Sequence, residues 1–241
     1  MTDHRWEDRL GSEGARPNER VWAIVLAGGT GSRFGGPKTL EILGGQRVLD
    51  WSLRAARAYA HGLVLVVPQE RMRAEYGRAE HVVQGGITRA DSVRCGLAVI
   101  PADADIVVVH DAARPLATPA LFERVIEAVR AGADGAIPGV AVVDTIKRVS
   151  GSAVQATIDR SDLVVVQTPQ AFRTVALRAA HANGADATDD ACLVEANGGV
   201  VVIVEGEERN RKLTTAADLV VLEALASLPT TSGIGDEDAS D

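Results

Sequence analysis

The sequence predicts an α/β fold: a mostly parallel sheet flanked by helices, with a β-hairpin arm projecting from it. Three features lead there. Short β-branched runs recur along the chain, stretches of helical spacing separate several of them, and a glycine-rich loop follows the first run directly.

The strand candidates are Trp22–Ala27, Leu63–Val67, Ile106–Val109, Leu163–Val166 and Val200–Val204, each bounded by Gly, Pro, Asp or Asn. Their unbroken apolar character reads as burial on both faces, the mark of a parallel sheet covered by helices. The spacing predicts helices over Leu53–Tyr59, Ser92–Ile100, Leu121–Ala131, Val175–Ala182 and Ala216–Leu228. Thr118 before Pro119 fits an N-cap with a first-turn proline, and Thr215 with Asp218 resembles a capping box.

Val140–Gln155 breaks the pattern. It alternates, and Ser150-Gly151-Ser152 interrupts it as the turn of a hairpin would. Exposed hairpin edges tend to pair, so the arm predicts a homodimer. One domain over residues 21–228 is expected, its arm at about 140–160, between a polar extension at 1–20 and a disordered acidic tail at 229–241.

Composition narrows the function. No apolar stretch is long enough to span a bilayer, and the first twenty residues lack a secretory apolar core, so a cytoplasmic protein without a membrane partner is expected. A net charge of −8 with 3% aromatic residues argues against a nucleic-acid polymer as partner. Cys95 and Cys192 form neither a disulfide framework nor a C-x-x-C pair and read as helix packing residues.

The glycine loop runs from Leu26 to Lys38, LAGGTGSRFGGPK. It fails as a dinucleotide fingerprint because Phe34 stands where the third glycine belongs, and as a Walker A loop because Pro37 precedes Lys38. What remains is a phosphate-approaching loop with two cations, Arg33 and Lys38, placed to neutralise charge growing on a displaced phosphoryl group. That chemistry suits activation of a nucleoside triphosphate.

His110-Asp111-Ala112-Ala113-Arg114-Pro115 follows the Ile106–Val109 run and sets a carboxylate at the same sheet edge. Asp111 is a candidate magnesium ligand, since magnesium favours one or two carboxylates plus substrate phosphates. His110 reads as structural. Gly85 to Ser92, GGITRADS, suits recognition of a base or ribose by backbone groups, or an ordinary loop and N-cap. Thr145, Lys147 and Arg160 beside the hairpin, and the basic run Arg209-Asn210-Arg211-Lys212, are either a second phosphate site or solvated faces.

Taken in order, AGGTGSRF with PK, GGITRADSV, HDAARP, VVDTIKR, TIDR, QTPQAF, TDDA and the late Lys-Leu-Thr make the chain resemble the 2-C-methyl-D-erythritol 4-phosphate cytidylyltransferase family from about Val21 to Leu228. The resemblance implies a Rossmann-like nucleotidyltransferase fold and CTP as co-substrate with magnesium. It implies Arg33, Lys38 and Lys212 as catalytic cations and Asp111 as the metal ligand. Ala27, Gly28, Gly29, Gly31, Gly86, Ile87, Ser92 and Ala112 would recognise CTP. Arg114, Thr145, Arg160, Thr168, Thr188 and Lys212 would surround the acceptor, the arm of one subunit completing its partner's site.

The chain departs from the family pattern at Leu26-Ala27-Gly28-Gly29, where P-A-A-G is more usual, at Thr39, where Gln is usual, and in its short segment between Arg33 and Lys38. The Leu-Ala-Gly-Gly form is similar to ribitol-5-phosphate cytidylyltransferases, the alternative enzyme reading. Ala113 and Lys147 follow the methylerythritol pattern. A third reading, from another class, is a nucleotide-binding regulator without activity.

Overall fold

The computed structural model describes residues 19–29, 34–74 and 76–228. The expected extension, but for its last two residues, and the acidic tail lie outside the described residues. Among the described residues the central sheet has eight strands, ordered β10 (Val164–Val166), β7 (Gly135–Ala141), β11 (Gln170–Arg173), β6 (Ile106–Asp111), β1 (Val21–Leu26), β4 (Gly62–Val67) and β5 (His81–Gln84), with β12 (Val201–Glu205) also paired to β7; the short β2 (Ile42–Leu43) and β3 (Gln46–Arg47) pair apart from it.

Strand β1 (Val21–Leu26) lies between β4 (Gly62–Val67) and β6 (Ile106–Asp111), parallel to both. β5 (His81–Gln84) extends the parallel set beyond β4. On the other side β11 (Gln170–Arg173) runs antiparallel between β6 and β7 (Gly135–Ala141). β10 (Val164–Val166) also joins β7 antiparallel, while β12 (Val201–Glu205) joins it parallel.

Alternation along β1 sorts the core into two layers. Val21, Ala23 and Val25 face α1 (Val48–Arg57) and α3 (Pro119–Arg130), packing on Leu49, Leu53, Phe122 and Val125. Trp22 and Ile24 face the opposite side, clustering with Val93 and Leu97 of α2 (Arg89–Leu97), Leu177 of α4 (Thr174–His181) and Val194 of α5 (Asp190–Ala196). A smaller cluster joins Leu43, Val48, Leu116 and Leu213 to Leu222 of α6 (Ala216–Ser227).

Two strand expectations need correction. The Leu163–Val166 run is neither parallel nor buried on both faces: only Val164–Val166 pairs, and Val165 is 57% exposed. Val201–Glu205 is likewise half-open, with Ile203 53% exposed. Both lie at the β7 end of the sheet, where helix cover thins, so β-branched content marks strand but not burial.

Local signals behave as chemistry dictates. Thr118 caps α3 by accepting the Leu121 N–H, with Pro119 in the first turn. Asp218 accepts the Thr215 N–H at 2.7 Å. The arm is a separate two-stranded sheet of β8 (Ile146–Ser150) and β9 (Ala153–Ile158), whose turn uses Gly151 at φ +55°. Val140 and Ala141, expected in the arm, belong to β7. Cys95 is partly buried on α2, whereas Cys192 is exposed on α5, so packing is not its role. Among the described residues no helix is long and apolar enough to cross a membrane.

Candidate active site

The carboxyl ends of β1, β4, β5 and β6 converge on one edge, where an α/β sheet opens its binding crevice. The turns leaving them stay tied to the ladder: Ala27 N–H reaches Val66 O at 2.8 Å, Gly85 N–H reaches Val67 O at 2.9 Å, and Ala112 N–H reaches Leu26 O at 3.0 Å. Above this edge lies a cavity of about 340 Å³.

One wall is the start of the glycine loop, Ala27, Gly28 and Gly29, together with Lys38 and Thr39. Gly31 and Arg33 lie outside the described residues. Lys38 opens a single 3-10 turn, Lys38–Leu40, in which buried Thr39 accepts a hydrogen bond from Arg71 Nη1 at 3.1 Å.

The second wall is the segment from Gly86 into α2. Thr88 accepts the Asp91 N–H, and Asp91 returns the bond to the Thr88 N–H at 3.0 Å, a complete capping box. Ser92 Oγ donates to Thr88 O at 3.0 Å and accepts the Gly86 N–H at 3.2 Å, which holds the glycine turn against the helix. Gly86 has to be glycine, because a Cβ there would collide with Cβ of Asp91. Ile87 stands fully exposed at the cavity mouth.

Asp111 closes the base. Its N–H donates to Thr168 Oγ1 at 3.0 Å, and its carboxylate lies 2.5 Å from Lys212 Nζ and 3.5 Å from Arg89 Nε. Burial opposes its ionisation, but Lys212 and Arg89 outweigh burial and hold the carboxyl well below the usual range. His110 is fully buried, with Nδ1 against Thr168 Oγ1 and Nε2 against Arg114 O, each at 3.2 Å. Burial pushes it down to about 4, so at neutral pH it is an uncharged part of the frame.

The remaining candidates divide. Lys212 reaches the cavity because Leu213 N–H bonds Ala113 O at 2.8 Å, drawing the late segment across the His110–Pro115 turn. Ala112 is buried, its carbonyl accepting from Ser52 Oγ at 3.0 Å, and Ala113 forms the wall beside it. Arg114 donates to Asn210 O at 2.7 Å and Val166 O at 3.3 Å, and burial lowers its pKa. Thr168 is buried beneath Asp111. Thr188 stands exposed near α5, its Oγ1 3.8 Å from Cys192 Sγ. Thr145 and Arg160 are exposed at the arm, where Arg160 Nη1 donates to Val143 O. Neither arm residue nor Thr188 lines the cavity of its own chain.

Arg89, within the Gly85–Ser92 motif, has no role in the site that the motif by itself reveals. It lines the cavity and contacts Asp111. A signal existed: a cation at the first position of a helix opposes the helix dipole and needs a nearby acid to hold it.

A parallel-centred α/β sheet with glycine turns, cations and one carboxylate gathered at its carboxyl edge defines a nucleotidyltransferase fold. The family model described as "2-C-methyl-D-erythritol 4-phosphate cytidylyltransferase" matches residues 21–227. The chain belongs to this family.

A "2-C-methyl-D-erythritol 4-phosphate cytidylyltransferase" of Rubrobacter xylanophilus is 44% identical over 220 residues, covering 84% of this chain and 93% of the relative. A "Bifunctional enzyme IspD/IspF" of Nitratidesulfovibrio vulgaris is 42% identical over 230 residues, covering 85% of this chain. The chain spans only 58% of that bifunctional relative's length. Among solved structures, the 2-C-methyl-D-erythritol 4-phosphate cytidylyltransferase of Thermus thermophilus superposes with a TM-score of 0.74 at 36% identity, covering 85% of this chain and 98% of that one.

Proposed function

We propose that the chain transfers the CMP group of CTP to 2-C-methyl-D-erythritol 4-phosphate, giving 4-diphosphocytidyl-2-C-methyl-D-erythritol and pyrophosphate. The observation that carries this reading is one cavity shared by Gly28, Gly86, Lys38, Lys212 and Asp111 in a chain of this family. Glycine turns suit the close approach of a nucleotide, and the cations suit its phosphates.

In the reaction an oxygen of the acceptor's phosphate attacks the α-phosphorus of CTP, and the bond to the bridging oxygen breaks as pyrophosphate leaves. The acceptor arrives with an ionised phosphate, so no general base is needed, in keeping with a buried, uncharged His110. Lys38 and Arg33 act by neutralising charge that grows on the transferred group, and Lys212 by orienting the acceptor's phosphate.

Among the described residues Asp111 is the one carboxylate lining the cavity, and no cluster of three His, Cys, Asp or Glu side chains forms a metal cage. Such a donor set fits magnesium that enters on the triphosphate, which supplies most of its oxygens, with Asp111 as the protein ligand. When bound, magnesium would offset phosphate charge in the transition state.

Residues 21–228 are read as one nucleotidyltransferase unit that works in the cytoplasm as a homodimer. The arm supports the dimer: Val143, Val149 and Val154 are 75%, 58% and 62% exposed, an apolar edge suited to a second copy. Thr145 and Arg160 would then reach the partner's acceptor site, with Arg114, Thr168 and Thr188 contributed around it.

The test is pyrophosphate release with magnesium and CTP, comparing methylerythritol phosphate with ribitol 5-phosphate, and CTP with ATP, GTP and UTP. Release confined to CTP and methylerythritol phosphate is expected. A preference for ribitol phosphate would move the chain to the alternative acceptor, and no release with either would favour a nucleotide-binding regulator.

A further inference from the structure

Asp190 is fully buried at the start of α5, far from the cavity in sequence, and lies behind Arg89, which lines the cavity. Its Oδ2 accepts from Arg89 Nη1 at 2.6 Å, and its Oδ1 lies 2.9 Å from Nε2 of buried His181. With Nε2 turned to the Asp190 carboxylate, Nδ1 faces Arg94 Nη1 at 3.5 Å. Each Asp190 oxygen thus has a strong donor, the arrangement a buried charge requires.

Arg89 is the link from this buried pair to the site. While Nη1 is held by Asp190, Nε lies 3.5 Å from Asp111 Oδ1. Its Nη2 is buried and, among the described residues, has no hydrogen-bond partner, although Arg89 lines the cavity. A buried guanidinium nitrogen left without an acceptor is costly unless a ligand supplies one.

We infer that Asp190, backed by His181, is a positioning residue for the cavity. It fixes Arg89 so that one face braces Asp111 and Nη2 remains the donor for a bound nucleotide. The inference rests on reading the cavity as a CTP site. A purely structural role is the competing account, because Asp190 and His181 also staple α5 to α4. The two accounts differ in whether the effect of Asp190 runs through Arg89.

The experiment measures equilibrium CTP binding with magnesium for the full chain and for Asp190→Asn, Arg89→Gln and the double variant, with melting curves recorded for each. Each single change is expected to weaken CTP about tenfold, the loss of one charge-assisted hydrogen bond. The double variant is expected to bind no worse than Arg89→Gln alone, and the acceptor KM to stay within about twofold. Losses that multiply in the double variant, or unchanged CTP binding in Asp190→Asn, overturn the inference.

Should Asp190→Asn melt below the assay temperature, His181→Gln and His181→Leu carry the test. Gln keeps an N–H toward Asp190 and should retain affinity, whereas Leu should lose it, and equal affinity in both overturns the inference. Absence of CTP binding by the parent chain would sink the cavity reading and this inference together. Binding by the parent with an unaffected Asp190→Asn would sink the inference alone.

Discussion

Lys212 Nζ lies 2.5 Å from Oδ2 of Asp111, although 101 positions separate the two residues. This pair joins the late segment of the chain to the end of β6 and sets the charge state of the cavity floor. Removing the cation leaves the Asp111 carboxylate with Arg89 as its nearest remaining charged partner at 3.5 Å.

Lys212→Ala is therefore expected to raise the Asp111 carboxyl toward the ordinary range and to lower kcat/KM on the order of 10²-fold. Carbon-13 NMR of the Asp111 carboxyl, followed through an acid titration, checks the first effect. A titration unmoved by the substitution would show that Arg89 alone holds the carboxylate.

Lys38→Ala should reduce kcat by roughly 10² to 10³ while changing CTP affinity only a few-fold, because in the proposed reaction its charge is needed most in the transition state. Steady-state kinetics beside equilibrium CTP binding separate the two quantities. A loss confined to binding would assign Lys38 to the ground state.

Arg160→Ala tests the arm. Arg160 is exposed beside β9 and absent from its own chain's cavity wall, so its effect should fall on the KM of the acceptor, about tenfold, and not on that of CTP. Mixing this variant with Lys38→Ala should restore part of the activity if each site takes its arm from the partner. No recovery in the mixture would place the arm on its own subunit's site or on none.

His110 gives the pH prediction. Its folded pKa is depressed from 6.5 to about 4, so the unfolded chain takes up a proton more readily than the folded one as pH falls. Stability should be unaffected above pH 6.5 and decline between 6.5 and 4, by on the order of 3 kcal/mol at most. Asp111, also depressed, acts in a lower window: its contribution is present above its unfolded pKa near 4 and is lost below that. Urea unfolding of the parent and of His110→Gln at stepped pH should show a flatter curve for the variant between those limits.

What the sequence disclosed followed the range of the interactions involved. Val21–Leu26 and Gly62–Val67 are buried β-branched runs, and such runs announce themselves locally. β7 did not, because Gly135, Pro138 and Gly139 disguise it. Those glycines answer to distant neighbours, since a Cβ at Gly135 would meet Phe172 at 2.6 Å and one at Gly139 would meet Val164 at 3.0 Å. β11 is four residues long and antiparallel, too short for a period to show. At the site, the glycine turns and Lys38 were legible because they belong to one glycine-rich loop after β1, and Asp111 because it ends β6. Arg89 was not placed, since its position depends on Asp190, 101 residues later, and no local spacing encodes that pairing. Lys212 reached the site through the family resemblance, its own surroundings reading more readily as a solvated basic run.

The bond from Leu213 to Ala113 also has a consequence for how the protein is made. A ribosome that has released residues as far as Glu205 has already delivered every strand of the central sheet, yet Lys212 is still to come. The nascent chain can acquire its sheet before it can finish its cavity floor. A chain stopped between β12 and Lys212 would hold every described strand of the central sheet and still lack the cation against Asp111.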